Sequence, residues 1–429
     1  MARSTPLKLR NMVMYQIFVR NFSEEGTFRE VSKRLDEIKA LGVDIIWLMP
    51  IHPIGVDKRK GSLGSPYAIM DYRAVNPEFG TMDDFRELVD GIHARGMKCV
   101  IDVVYNHTSP DSVLRYEHPE WFYHRADGSF GNRVGDWSDI VDLDYSDKAL
   151  WNYQIDTLKM WAGIVDGFRC DVAPLIPLDF WLRARAEVGE IRPDCIWLAE
   201  SVDHGFLRYL RGMGCAVSTD AELYQAFDIT YDYDIIGEFQ DYIAGKCGLQ
   251  RYAEAIDRQE CIYPAEYVKL RFLENHDRSR AHFLIPEMPA LRNWTAFMYF
   301  QKGLALVYAG QEYGVKHAPN LFDKDTVDFY TPAEYRLSEL MRRLAEIKRE
   351  PVFTDSIYHV EARGDDVIVA SHKSGEAEAL GVFSLKGRSA YVEVDLADGE
   401  YVDLIDGRTI EVSRSALQTC GEPIIIVKK

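Results

Sequence analysis

The sequence predicts an α/β fold: a (β/α)₈ TIM barrel with a short insertion after the third strand, followed by an antiparallel β domain. Three observations predict it. Eight short β-type runs recur over roughly the first 350 residues, most of them separated by segments of helical periodicity. These runs are apolar on both faces, as parallel strands covered on both sides are. Beyond about residue 351 the helical periodicity stops, and short alternating runs separated by Gly, Asp and Ser turns take over.

The strand runs, in order, are VMYQIFV (13–19), DIIWLMP (44–50), MKCVIDVVY (97–105), IVDGFR (164–169), CIWLAE (195–200), CAVSTD (215–220), VKLRFLE (268–274) and LALVYAG (304–310). Between them, 27–42 carries Phe28, Val31, Leu35, Ile38 and Leu41 at helical spacing and ends on Gly42. The segment 81–96 opens on a Thr cap and closes on Gly96. Helical patterns also cover 292–303 and 331–350. The competing reading, an open doubly wound sheet, would call for a G-x-G-x-x-G turn after a strand, and none occurs. The organisation read from the sequence is therefore 1–350 as barrel, with 107–145 as the insertion, and 351–429 as an all-β C-terminal domain. A long loop inside a compact domain is usually functional, and 107–145 is rich in His, Asp, Trp, Tyr and Gly.

Composition bounds the partners. Of 429 residues, 47% are hydrophobic and 28% charged, which excludes a disordered chain. Fifty Lys+Arg against 68 Asp+Glu give a net charge of −18, and no basic run interrupts it, so no nucleic-acid partner is expected. No apolar run is long enough to span a membrane, and no membrane partner is expected. The first residues lack the pattern of a signal peptide. Seven cysteines at wide spacings, with no C-x-x-C or zinc pattern, fit a reducing compartment; the expected location is cytoplasmic. The acidic surface permits a monomer or a dimer.

The chemistry lies at strand ends. Asp102, Asp171, Glu200 and Asp277 follow apolar runs three, four, five and seven. In a (β/α)₈ barrel those C-terminal ends converge on one mouth. Arg169 and Asp171 are two apart on a strand and share a face, so a guanidinium is set beside Asp171 to keep it ionised, as a nucleophile needs. Cys170 between them faces the helices. Glu200 follows Trp197, Leu198 and Ala199, and an apolar pocket would raise its pKa into the range of a general acid. One ionised and one protonated carboxylate across a bond is what retaining glycoside hydrolysis requires. The same carboxylates, with His107 and His276, leave open a two-metal phosphoesterase. The rings of Tyr67, Tyr72, Trp121, Phe122, Tyr123 and Trp137 in the mouth loops suit stacking on sugar faces.

Several ordered segments resemble the alpha-amylase family of glycoside hydrolases. DVVYNH (102–107), GFRCDVA (167–173), WLAES (197–201) and FLENHD (272–277) resemble its four signature segments. GVDIIWLMPIHP (42–53), the GSPYAIMDY loop ending at Phe85, VDLDY (141–145) and YAGQE (308–312) resemble further family segments, so the likeness runs in order over about residues 13–345. The resemblance implies Asp171 as nucleophile, Glu200 as acid/base and Asp277 as the carboxylate that holds the distorted sugar. It implies His107 and His276 on sugar hydroxyls, Tyr67 stacked on the sugar, and Arg169 orienting Asp171. Asp102 takes a structural role near the site, and Asn106 matches a calcium ligand of some members. Pro174 and Leu175 stand where many starch-degrading members carry Lys-His, and the first strand-helix loop lacks spaced Asp ligands. No required cofactor or metal is therefore expected, since calcium lacks a full ligand set. The implied substrate is an α-glucan oligosaccharide. The alternatives are an α-1,6-glucosidase, a transglycosylase, a sucrose- or trehalose-acting member, and a non-catalytic amylase-like binding protein. Val172, next to the nucleophile position, does not decide the linkage. The last alternative predicts loss of Asp171, Glu200 or Asp277, and all three are present.

Overall fold

In the computed structural model, which describes residues 5–134 and 137–428, eight parallel strands close into a barrel. They are β1 (Val13–Ile17), β2 (Ile45–Leu48), β3 (Lys98–Val103), β4 (Gly167–Cys170), β5 (Ile196–Ala199), β6 (Ile229–Tyr231), β7 (Val268–Arg271) and β8 (Leu304–Tyr308). Each pairs with its sequence neighbours, and β1 pairs with β8 to close the ring. Alternation along the strands makes two cores. Met14, Ile45, Trp47, Val100, Leu198, Ile229, Leu270 and Leu306 fill the barrel interior. The other face of each strand packs on the helices, and Cys170 lies in that outer core as its register predicts.

The covering helices are α1 (Met82–Ala94), α2 (Lys148–Ala162), α3 (Leu178–Gly189), α4 (His204–Gly212), α5 (Leu249–Ile262), α6 (Met288–Phe300) and α7 (Ser338–Lys348). Helix α1 is the clearest case of sequence dictating local structure. The Thr81 side chain accepts the Asp84 N–H while Asp84 reaches back to the Thr81 N–H, and Phe85, Leu88, Val89 and Ile92 form the buried stripe. Among the described residues no helix is long and apolar enough to cross a membrane.

The structure corrects several expectations. The run 215–220 is not the sixth strand: Thr219 and Glu222 form a capping box that starts a short helix, Asp220–Leu223. The sixth strand is Ile229–Tyr231, three residues that give almost no periodic signal. Strand four is shorter than expected, Gly167–Cys170; Asp166 just before it bonds Cys99 O and the Ile196 N–H through its backbone and meets His93 and Arg192 through its carboxylate. The helix expected over 27–42 breaks at Arg34 into Phe28–Lys33 and Leu35–Ala40. The last barrel helix starts at Ser338, leaving 331–337 as loop and a single 3₁₀ turn.

After α7 the chain turns to antiparallel β structure. Strands β9 (Ile357–Arg363), β10 (Val367–Ser374) and β11 (Ala377–Ser384) form a meander, and β16 (Ile424–Lys428) adds to β11. Between them β12 (Tyr391–Glu393) pairs with β15 (Ala416–Gln418), and β13 (Gly399–Val402) with β14 (Thr409–Val412). One face of the larger sheet docks on α6, with the Phe383 ring 5.3 Å from Phe297 and 5.4 Å from Phe300. The other face keeps its own core of Val369, Leu380, Val382, Ile410 and Leu417.

Candidate active site

The mouth at the C-terminal ends of the strands holds one deep cleft, about 440 Å³ in volume. Asp171, Glu200, Asp277, His107, His276 and Tyr67 all line it. Arg169 and Asp102 lie beneath them, fully buried. The four carboxylates predicted from strand ends therefore do converge on one mouth, three of them directly on one guanidinium.

Arg169 organises the floor. Its Nη1 donates to Asp102 Oδ1 and to Asp171 Oδ1, both at 2.8 Å, and its Nε donates to the Tyr231 hydroxyl at 3.1 Å. Its Nη2 stands 2.9 Å from Glu200 Oε1, off the hydrogen-bond axis. One positive charge is thus divided among three buried carboxylates. Burial is the largest influence on each, and their mutual repulsion adds to it. Asp102 and Asp171 are pushed up to about 7, and Glu200 to about 8. Arg169 pulls Asp171 toward its ionised form, as its place on the strand predicts, but the cation is shared and desolvation outweighs that pull. The three carboxylates share one guanidinium and titrate as a set that holds on to a proton toward neutral pH, as a site that needs one protonated and one ionised carboxylate requires.

Glu200 is held from the side as well. Its Oε2 accepts the N–H of Val172 at 2.8 Å. That N–H is aimed by backbone strain: Val172 has φ 36° and ψ 45°, a left-handed conformation that a β-branched residue rarely adopts. The usual order of substitution should therefore invert at this position. Val172→Gly is expected to be more stable than Val172→Ala by roughly 1 kcal/mol, because only glycine relieves the strain. Paired thermal unfolding curves check this; an alanine variant as stable as the glycine variant would mean the strain is absent.

The other wall is neutral and aromatic. The His276 ring stacks on Tyr67 with centroids 5.4 Å apart. Its Nε2 lies 2.6 Å from the Tyr67 hydroxyl and 3.1 Å from Asp277 Oδ2, and its Nδ1 lies 2.6 Å from Gln16 Nε2. Burial drives His276 down to about 4 and also lowers His107, so both are neutral hydrogen-bonding rings at neutral pH. The Tyr67 hydroxyl also donates to Asp102 Oδ2 at 3.0 Å. Asp277 is the open carboxylate, its side chain 42% exposed. Asn106 stands behind His107, with its Nδ2 3.2 Å from His107 Nδ1.

Of the six rings expected in the mouth, only Tyr67 and Trp137 line the cleft. Tyr72 is buried and donates to the carbonyls of Val104 and His107; Trp121 and Phe122 are buried in the outer core; Tyr123 lies under Arg133. Sequence reasoning missed Gln16, Tyr231, Tyr233, Phe206 and the Lys60–Asp139 ion pair of 2.8 Å, all at or under the cleft. Gln16 had a readable signal, a lone amide inside an apolar strand run. The ion pair had none, because it joins two loops distant in sequence.

A barrel whose strand ends set an acid-range glutamate beside a guanidinium-bound aspartate defines a glycosidase-type site. The comparisons agree. Residues 15–119 and 110–350 match the family description "Alpha amylase, catalytic domain", and 359–426 match "Bacterial Alpha amylase C-terminal domain". The chain belongs to the alpha-amylase family of glycoside hydrolases. It is 46% identical to an alpha-amylase from Lactobacillus plantarum, with a TM-score of 0.96 over 99% of this chain and 100% of that one. A noncanonic maltogenic alpha-amylase, AmyB from Thermotoga neapolitana, is 34% identical, with a TM-score of 0.87 over 98% and 99% of the two chains. Alpha-amylase MalA from Haloarcula japonica is 26% identical over 92% of this chain. The chain spans only 59% of the length of MalA, and 19% to 38% of the alpha-1,4-glucan:maltose-1-phosphate maltosyltransferases it also matches.

Proposed function

We propose that this chain hydrolyses α-glucosidic bonds of maltodextrins and related α-glucans with retention of configuration, through a covalent glycosyl-enzyme. The observation that carries the reading is the sharing of Arg169 by Asp171 and Glu200 on adjacent strands. Cys170 and Ala199 are register partners, so the two carboxylates that follow them leave neighbouring strands about 4.8 Å apart. That favours the close carboxylate pair of a retaining site over the wider pair that admits a water.

In this reading Asp171 attacks the anomeric carbon as the bond to the leaving oxygen breaks, and Glu200 gives that oxygen its proton. Water then replaces Asp171 at the same carbon and returns a proton to Glu200. Asp277, His107 and His276 hold sugar hydroxyls, Tyr67 stacks on the ring, and Arg169 orients Asp171. Asp102 and Asn106 hold these groups from behind. A 46% identical alpha-amylase and a 34% identical maltogenic alpha-amylase support an α-1,4-glucan substrate. Seven unpaired cysteines, three of them buried, support a reducing, cytoplasmic setting. The likeness to maltosyltransferases favours one second reading: the same glycosyl-enzyme delivered to a sugar or phosphate acceptor rather than to water.

The test is a product profile on maltoheptaose, pullulan, isomaltose and sucrose, with the anomer of the first product followed by NMR. Maltose and maltotriose released as α-anomers are expected from maltoheptaose. Release of the β-anomer would overturn the retaining mechanism. Turnover only when maltose or phosphate is added would move the chain to the transferase reading.

A further inference from the structure

Behind the His107 wall of the cleft lies a second cavity of about 650 Å³, bounded in part by Asn106, Tyr123, Arg133, Asp142 and Asp144. Asn106 is the residue that, by resemblance, ligates calcium in some members of the family. The oxygens beside it are gathered round a guanidinium. Arg133 Nη1 donates to Leu143 O at 3.1 Å and lies 3.8 Å from Asp142 Oδ2, while Nη2 lies 3.9 Å from Asp144 Oδ2. The guanidinium carbon stands 4.4 Å from the centre of the Tyr123 ring. The backbone N–H of Arg133 donates to Asp142 Oδ2 at 2.7 Å.

This cluster is joined to the cleft by backbone. The Leu143 N–H donates to Asn106 O at 2.9 Å, and Asp142 pairs with His107 in a two-residue antiparallel ladder. A group that fixes residues 142–144 therefore also fixes His107.

The residues do not fit a calcium ion. Calcium takes six to eight oxygen ligands. Asp142 Oδ1 is buried without a hydrogen-bond partner and speaks for a cation. Three of the neighbouring oxygens are already engaged: Asp142 Oδ2 by the Arg133 N–H, Leu143 O by the Arg133 guanidinium, and Asp144 Oδ1 by the Ser146 N–H at 3.0 Å. No group of three or more His, Cys, Asp or Glu able to hold a metal occurs among the described residues. A divalent ion drawn to Asp142 would also stand against a fixed positive charge of the chain itself.

We infer that Arg133 is a built-in cation that fastens the insertion to the barrel in place of a calcium ion, and that it is a positioning residue for the His107 wall. The second half of this inference rests on the proposed glycosidase site; the first half does not. Two measurements separate them. Thermal unfolding of the wild-type protein is expected to give midpoints within about 1 °C after chelation and after calcium is restored. Arg133→Met is expected to lower the midpoint by about 2 °C or more. The same variant should raise KM for maltoheptaose several-fold with kcat nearly unchanged, and Arg133→Lys should recover part of both losses. A wild-type midpoint that falls several degrees on chelation and returns with calcium overturns the inference, whether or not the variants fold. An Arg133→Met protein with wild-type midpoint and KM overturns it as well. If neither protein turns over maltoheptaose, the glycosidase reading fails and the unfolding midpoints still decide the role of Arg133.

Discussion

Asp171→Asn is expected to yield a folded protein whose turnover of maltoheptaose is down roughly 10⁴-fold or more, the scale of loss when a covalent nucleophile is removed. The change is close to isosteric, and an amide oxygen at 171 can still accept from Arg169 Nη1, which now binds Asp171 Oδ1 at 2.8 Å. The floor of the site therefore keeps its geometry. Its charge changes in a favourable direction. Asp171 is buried, and its carboxyl is pushed up to about 7 by desolvation and by the charges of Asp102 and Asp277, against the pull of Arg169. A carboxyl whose folded pKa exceeds its unfolded value of about 3.8 binds more protons in the folded state between those pH values. Its contribution to stability is thus present below about pH 4 and is lost as pH rises through about 7. At pH 7.5 the asparagine variant should unfold at a temperature equal to or above that of the wild type, and at pH 4 the difference should vanish. Loss of activity together with a large fall in midpoint would mean that Asp171 is a structural carboxylate. Unchanged turnover in the folded variant would remove it from the mechanism.

The barrel and the main residues of this floor are readable from sequence because they follow from short-range rules. A polar residue that ends an apolar parallel strand points to the mouth, and two residues two apart on a strand share a face. Those rules reach Asp102, Arg169, Asp171, Glu200 and Asp277. They fail where the information is non-local. Tyr231, which receives the Arg169 Nε–H at 3.1 Å, stands on a three-residue strand too short to show alternation. The run 215–220 mimics a strand because a capping box and a strand end both look like a polar stop after an apolar run. The upward shift of Asp171 is not readable from sequence for a related reason. Sequence spacing brings Arg169 to Asp171, but only the closed barrel brings Asp102 and Glu200 to the same guanidinium and divides its charge. The left-handed turn at Val172 has no sequence signal, since valine is among the residues least suited to it.

Glu200→Gln tests the other half of the chemistry through pH. Glu200 is pushed up to about 8, first by burial and then by the charges of Asp171 and Asp277, with Arg169 pulling the other way. A general acid works in its protonated form, so kcat/KM of the wild type on maltodextrins should hold through neutral pH and fall as pH rises through about 8. The glutamine variant should lose about 10²- to 10⁴-fold on maltoheptaose, whose leaving group needs a proton. On an α-glucosyl fluoride, whose leaving group does not need one, formation of the glycosyl-enzyme should be largely spared, and its basic limb near pH 8 should disappear. The two substrates together distinguish a lost proton from a damaged site. A misfolded or misaligned cleft would slow both to the same degree, and the Val172 N–H, which donates to Glu200 Oε2 at 2.8 Å, can equally donate to the carbonyl oxygen of a glutamine there. A variant that keeps the basic limb on the fluoride, or a wild type whose kcat/KM is flat through pH 9, would take Glu200 out of the acid role and leave the titrating proton on Asp102 or Asp171, the other carboxylates that share Arg169.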